Sequence, residues 1–400
     1  LLGLLLLSGC DTERYPEDMT YPVRSDLLVV TAPTAIVNRP DPPGAWPATL
    51  KEVGLPTDEG GPGGAKLDPS KLSAEDRHQF QTNLLKLFGT PANPKVGDPN
   101  GELQQSLDDL QLGAAALQEG SRLYRRHCLH CHGMPGDGHG PTAPWVNPHP
   151  RDYRQGQFKF ISSRGGNERK PRREDLLRTL RQGIDGTAMP PFGLLSDNEL
   201  NALASYVIHL SLRGQTEFDA MATLLKEGKD SLEGGSIAED LPARLAIYVG
   251  RWKDAEGNII QPSGTPPAAT DQASVERGYQ LFRTGEASCI SCHKDYGRAY
   301  EFRYDVWGTL VRPADLTRGV YRGGRRPIDL FWRVHSGIVP AAMPAFGKTD
   351  ANAAVGLTDQ QIWDVVNFVQ ALPYPQMLPP NIRDEVYGPP AAPAVASTER

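Results

Sequence analysis

The pattern Cys-x-x-Cys-His occurs twice in 400 residues, as Cys128-Leu129-His130-Cys131-His132 and as Cys289-Ile290-Ser291-Cys292-His293. In a helical turn, positions i, i+3 and i+4 share one face, so each copy presents two thiols and an imidazole together. Three chemistries use such a group. A zinc site would draw four ligands into one centre. A redox dithiol has no need of the trailing histidine. Covalent attachment of haem uses all three side chains, the thiols as thioethers to the two vinyl groups and the imidazole as an iron ligand.

The setting of the two motifs favours the third chemistry. They sit in separate halves of an internal repeat, about 114–213 and 274–375. Each unit opens with Gly-x-x-Leu-aromatic, namely Gly120, Leu123 and Tyr124 against Gly278, Leu281 and Phe282. The motif follows, then Pro150-Arg151-Asp152 against Pro313-Ala314-Asp315, then a helix with Asp175-Leu176 matching Asp329-Leu330. Thr179 to Pro190 aligns with Arg333 to Pro344 without a gap, which pairs Gly183 with Gly337, Met189 with Met343 and Pro190 with Pro344. Leu195-Ser196-Asp197 and Leu357-Thr358-Asp359 each open a closing helix. The chain has only six methionines, so two falling in register ahead of proline stand out. A thioether is a soft ligand that raises the potential of iron. His132 and His293 are therefore the expected proximal ligands and Met189 and Met343 the expected opposite ones. Cys128, Cys131, Cys289 and Cys292 are the expected attachment points of two haems c. Four of the five cysteines are thus used, and the fifth, Cys10, leaves none for a disulfide.

Both units resemble class I cytochrome c domains, in the order opening helix, Cys-x-x-Cys-His, loop, helices, Met loop and closing helix. The resemblance covers about half the chain. It implies an all-α fold with one buried low-spin His/Met haem per domain and an exposed edge for electron exchange. It also implies that a proline carbonyl holds each proximal His. The candidates are Pro141 or Pro150 in the first unit and Pro313 in the second. The opening-helix glycine should let the closing helix cross closely, bringing Gly120 to Tyr206 and Gly278 to Phe368.

Outside the repeat the chain is rich in loop formers, with 41 Gly and 36 Pro. Residues 1–10 end in Leu7-Ser8-Gly9-Cys10, which resembles a bacterial lipobox. This implies acylation of Cys10 after signal cleavage and a lipid anchor on the extracytoplasmic (periplasmic) face of the cell membrane. Residues 11–113 read as a Pro/Gly-rich, disordered tether with one short helix from Ser73 to Phe88, capped by Ser73 and stopped by Gly89. About 60 such residues span roughly 45 Å as a coil. Residues 214–273 read as a connector. Phe218, Met221, Leu224 and Leu225 have helical spacing, as do Leu241, Leu245, Tyr248, Val249 and Trp252. Asp240 is the expected cap of the second helix, and a Pro-rich linker follows. Residues 376–400 read as a disordered tail.

The net charge of −6 and the lack of a dense basic run give no sign of a nucleic-acid partner. Arginines cluster in both Met-side segments, among them Arg173, Arg178, Arg181, Arg326 and Arg333. Haem carboxylates, an acidic partner and a solvated helix face are the three readings of that cluster. His127, His130, His139, His149, His209 and His335 are read as surface or hydrogen-bonding groups, because the paired methionines make them unnecessary as ligands. Electron transfer is the expected function, with other redox proteins as partners. Resemblance to two-domain cytochrome lipoproteins suggests a place between a quinol-oxidising complex and a haem–copper oxidase. A dihaem peroxidase is the alternative from another class, and two matched methionines argue against the open iron position it needs. The cytochrome subunit of a periplasmic dehydrogenase is a third reading.

Overall fold

The computed structural model describes residues 14–31, 65–165, 169–263, 266–268, 270–284, 287–299, 301–348 and 355–388. Residues 1–13, including Cys10, residues 32–64 and residues 389–400 lie outside them. The described residues form two compact units. The first runs to Ile259 and includes Tyr304–Thr309. The second comprises Ile260–Arg303 and the residues from Leu310 onward.

Helices dominate both units. In the first they are α1 (Ala74–Phe88), α2 (Gln104–Asp109), α3 (Ala114–His127), the single turn α4 (Leu129–His132), α5 (Arg173–Gln182), α6 (Asp197–Glu227) and α7 (Ile237–Gly257). In the second they are α8 (Gln272–Arg283), α9 (Pro327–Ser336), α10 (Asp359–Ala371) and α11 (Pro380–Tyr387). Two short two-stranded sheets, β1 (Leu28–Thr31) antiparallel to β2 (Ala65–Leu67), and β3 (Arg303–Tyr304) with β4 (Leu310–Val311), are the sheets of the described residues.

The repeat is structural. Helix α3 crosses α6, and α8 crosses α10, at the expected glycines. A Cβ on Gly120 would collide with the Ala202 carbonyl and lie 2.8 Å from Tyr206 Cβ. A Cβ on Gly278 would collide with the Asp364 carbonyl and lie 2.9 Å from Phe368 Cβ. Tyr206 and Phe368 are fully buried over these crossings. Both closing helices start with reciprocal caps, Ser196 with Glu199 and Thr358 with Gln361. Asp175 and Asp329 each reach back from the third helical position to the cap N–H, at 3.0 and 3.2 Å, and so fix the start of α5 and α9.

Three expectations need correction. The N-terminal segment is no free tether where it is described, because its aromatics are anchors. Tyr21 is 2% exposed and its hydroxyl meets that of Tyr206 at 2.8 Å. Glu217 accepts the Arg24 N–H at 2.7 Å, and Arg213 donates to the Pro22 carbonyl at 3.0 Å. Single anchors between prolines leave no periodic pattern, and their polar partners lie about 190 residues away on α6. Next, α6 does not stop at 213. It continues to Glu227, with Gly214 in its middle, where a Cβ would strike Arg154. Helix α7 likewise starts before Asp240. Ser236 caps it, accepting from the Glu239 N–H at 3.3 Å, and Pro242 lies inside it. Both connector helices belong to the first unit. Finally, the described part of the tail carries a helix, α11. Ile382 and Val386 of α11 are buried, and the Val386 carbonyl accepts from Arg298 at 2.7 Å.

Replacing Gly120 or Gly278 by Ala sets a methyl against backbone that cannot yield. Each should cost about 3 kcal/mol, the upper part of the range for overpacking. Denaturant melts of Gly278→Ala against wild type will show it, and an unchanged midpoint would contradict the close crossing.

Candidate functional site

The end of α3 becomes the first motif without a break. The Cys131 and His132 N–H groups both bond the Cys128 carbonyl, at 3.1 and 2.9 Å. That turn gathers Cys128, Cys131 and His132, and Tyr124 on α3 ties it down through a 2.9 Å bond to the Gly133 carbonyl. The second motif repeats the turn as a tighter helix, Cys292 and His293 bonding the Cys289 carbonyl at 3.2 and 2.9 Å. None of the four motif cysteines is engaged in a disulfide. Burial pushes Cys128 up to about 12 and Cys289 up to about 11.

Each histidine is held through one ring nitrogen. The His132 Nδ1–H donates to the Arg151 carbonyl at 3.0 Å, and the His293 Nδ1–H to the Ala314 carbonyl at 3.1 Å. Burial lowers both imidazoles, His132 to about 4, so they are neutral at pH 7. A carbonyl can only accept, which fixes the tautomer and leaves the Nε2 lone pair for a metal. The acceptors are therefore not proline carbonyls. In both units the carbonyl belongs to the residue after the proline, in Pro150-Arg151-Asp152 and Pro313-Ala314-Asp315. The next residue explains why. Asp152 accepts from the Arg154 N–H at 2.8 Å and Asp315 from the Thr317 N–H at 3.1 Å, two Asx turns that aim the preceding carbonyl.

The methionine loops match as closely. Helices α5 and α9 each end at a left-handed glycine, Gly183 at φ 67° and Gly337 at φ 68°. The chain then folds back, and Ile184 bonds the Met189 carbonyl at 3.1 Å as Ile338 bonds the Met343 carbonyl at 2.9 Å. Phe192 closes on Leu180 at 2.8 Å and Phe346 on Val334 at 3.1 Å. Both methionines are half-buried.

Several contacts escape sequence reading. Thr142 meets Cys131 Sγ at 3.1 Å while donating to the His130 carbonyl at 2.8 Å. Tyr153 stacks on His132 with centroids 4.9 Å apart. A hydroxyl in a loop and a lone tyrosine carry no spacing signal. The arginine cluster is largely structural. Arg173 donates to the Asn201 and Leu110 carbonyls, Arg178 to Asp175, Arg181 to Glu174 and Asp197, Arg326 to Asp329, and Arg333 to the Arg322 and Gly324 carbonyls. His209 is a core residue, stacked on Tyr206 with Nε2 3.1 Å from the Phe88 carbonyl.

Paired thiols, a neutral imidazole with one free nitrogen and a closed methionine loop suit a haem held through thioethers. Comparison with known proteins agrees. Residues 115–207 match the family described as cytochrome c oxidase, cbb3-type, subunit III, and residues 275–373 match the family described as cytochrome c. A chain of the Kuenenia stuttgartiensis reducing HAO-like protein complex is similar at 23% identity and a TM-score of 0.46, over 64% of this chain and 96% of that one. No curated protein matches. The two domains make the chain a tandem dihaem c-type cytochrome of class I, and they imply two covalently bound haem c groups.

Pyridine haemochrome analysis of denatured, acid-acetone-washed protein should return two haems c per chain. A value of one, or haem in the extract, would overturn the double attachment.

Proposed function

We propose that the chain relays electrons in a respiratory chain, from a quinol-oxidising complex to a terminal oxidase, while anchored through Cys10 at the extracytoplasmic face of a membrane. Electron transfer itself follows from the two cytochrome c domains. The single observation that carries the reading is the duplicated ligand frame. Each half has the same His–carbonyl bond and the same backbone closure around its methionine. His132 with Met189, and His293 with Met343, are the proposed axial pairs. Thioethers from Cys128, Cys131, Cys289 and Cys292 are the proposed attachments. A saturated His/Met iron exchanges electrons with little change of geometry and leaves no vacant position for substrate, which suits a carrier.

Support for an oxidase as partner comes from the first domain, whose matching family is named for a subunit of a cbb3-type oxidase. Among the described residues no helix is long and apolar enough to cross a membrane. In this reading, attachment falls to the acylated Cys10, where two or more chains give stable binding at about 0.8 kcal/mol per buried CH₂.

Two measurements test this. Met189→Ala and Met343→Ala should each lower the potential of one haem and leave the other nearly intact, as read by redox titration. A variant that keeps the wild-type Met–iron charge-transfer intensity would remove that methionine from the ligand set. Wild type should fractionate with membranes and Cys10→Ser with the soluble fraction; a soluble wild type would end the anchoring proposal but not the haem assignment.

A further inference from the structure

The two methionine loops share a frame but differ in what holds them. In the first, the left-handed turn between Ile184 and Met189 falls on Gly186, at φ 71°. Thr187 then clasps the loop. Its hydroxyl donates to the Ile184 carbonyl at 2.7 Å and accepts from the Met189 N–H at 3.2 Å. The gap-free alignment places Pro340 opposite Gly186 and Ala341 opposite Thr187. Proline is fixed near φ −65° and cannot take the left-handed turn. The second loop makes that turn two residues later, on Ala342 at φ 59°, directly before Met343. Alanine pays a steric penalty there that glycine does not. Alanine at 341 also has no hydroxyl. The Met343 N–H instead reaches back to the Ile338 carbonyl at 3.3 Å.

The same asymmetry continues on the histidine side. The second domain places Ser288, Asp295 and Tyr296 at positive φ around its motif, whereas left-handed positions beside the first motif are glycines, Gly133, Gly136 and Gly138. His132 is also backed by the Tyr153 ring, at 19° between planes. Strained backbone of this kind stores free energy that is released when the segment moves. Swinging Met343 out relaxes Ala342. Swinging Met189 out relaxes nothing and breaks the Thr187 clasp.

We infer that the second centre has an exchangeable coordination position, with Met343 the residue that a small added ligand displaces, while Met189 stays fixed. This rests on the proposed His/Met ligation. The second domain would then be where a small molecule can bind and gate electron flow, and the first a permanent relay. Only a coordinate bond is exchanged, so no electron or proton need be supplied.

Imidazole is the probe, titrated into full-length ferric holoprotein while the Met–iron charge-transfer band is followed. Met189→Ala leaves only the second centre contributing to the band, and Met343→Ala only the first. The band should disappear at about tenfold lower imidazole in Met189→Ala than in Met343→Ala, the factor set by one non-glycine left-handed residue. Adding Ala342→Gly to Met189→Ala should raise the midpoint, and adding Thr187→Ala to Met343→Ala should lower it. Equal midpoints, or earlier loss at the first centre, overturn the inference. If neither single variant diminishes the band, the methionine ligation itself is what has failed.

Discussion

Two helix backbones touch at Gly120, and again at Gly278, and the geometry of each haem site follows from that contact. Helix α3 runs directly into the first motif, and the first Met loop runs directly into α6. The crossing therefore sets the distance between the histidine end and the methionine end of the site before any cofactor is present. Tyr206 seals it on one side and Phe368 does the same in the second unit, where α8 leads into the motif and α10 follows the loop. A side chain at either glycine would separate the helices by roughly the width of a methyl group. Histidine and methionine would then be displaced together, because both hang from the crossing helices by short, hydrogen-bonded turns.

Burial supplies the second constraint. Asp175 and Asp329 are almost inaccessible, as are Arg173, Arg178 and Arg333. A buried charge is tolerated only when it is paired and its donors are satisfied. Here the partners are main-chain carbonyls of loops and N–H groups at helix starts. Asp175 alone accepts from the Ser162 N–H, the Ser162 hydroxyl, the Arg172 N–H and the Arg178 guanidinium. These residues hold irregular chain against helices where neither ladder nor sheet can do so. The cost of breaking one is high, since its partner would be left buried and uncompensated.

Much of this was legible in the chain because duplication turns weak signals into strong ones. A lone methionine means little, but Met189 and Met343 in the same register, each before proline, single out the two loops that fold back on α5 and α9. The crossing glycines were legible for the same reason. The carbonyls that hold His132 and His293 were not, since a main-chain oxygen leaves no mark in sequence. The clue was the shared aspartate after each, Asp152 and Asp315, whose Asx turns aim them. The N-terminal anchors were hidden for a different reason. Tyr21 and Arg24 make sense only beside Tyr206 and Glu217, and nothing in an unpaired stretch of prolines announces a partner that far away. The repeat stops near 213 while α6 runs on to Glu227, so the end of that helix has no duplicated counterpart to mark it.

Duplication also isolates what has diverged. The scaffold around the proposed ligands is the same twice over, down to the Ile184 and Ile338 bonds and the Phe192 and Phe346 closures. Differences between the centres must then lie in the residues that fill the frame. The first unit surrounds its site with extra structure, the N-terminal anchors and the extended α6 with α7, and makes its methionine-loop turn on Gly186. The second makes its methionine-loop turn on Ala342 and carries further Cβ-bearing residues, Ser288, Asp295 and Tyr296, at positive φ. Backbone cost at such positions is about 1–2 kcal/mol each, and two-state domains have only about 5–15 kcal/mol in total. Four of them within one unit, Ser288, Asp295, Tyr296 and Ala342, are a large enough share that the second domain should depend on its covalently held cofactor for stability more than the first does.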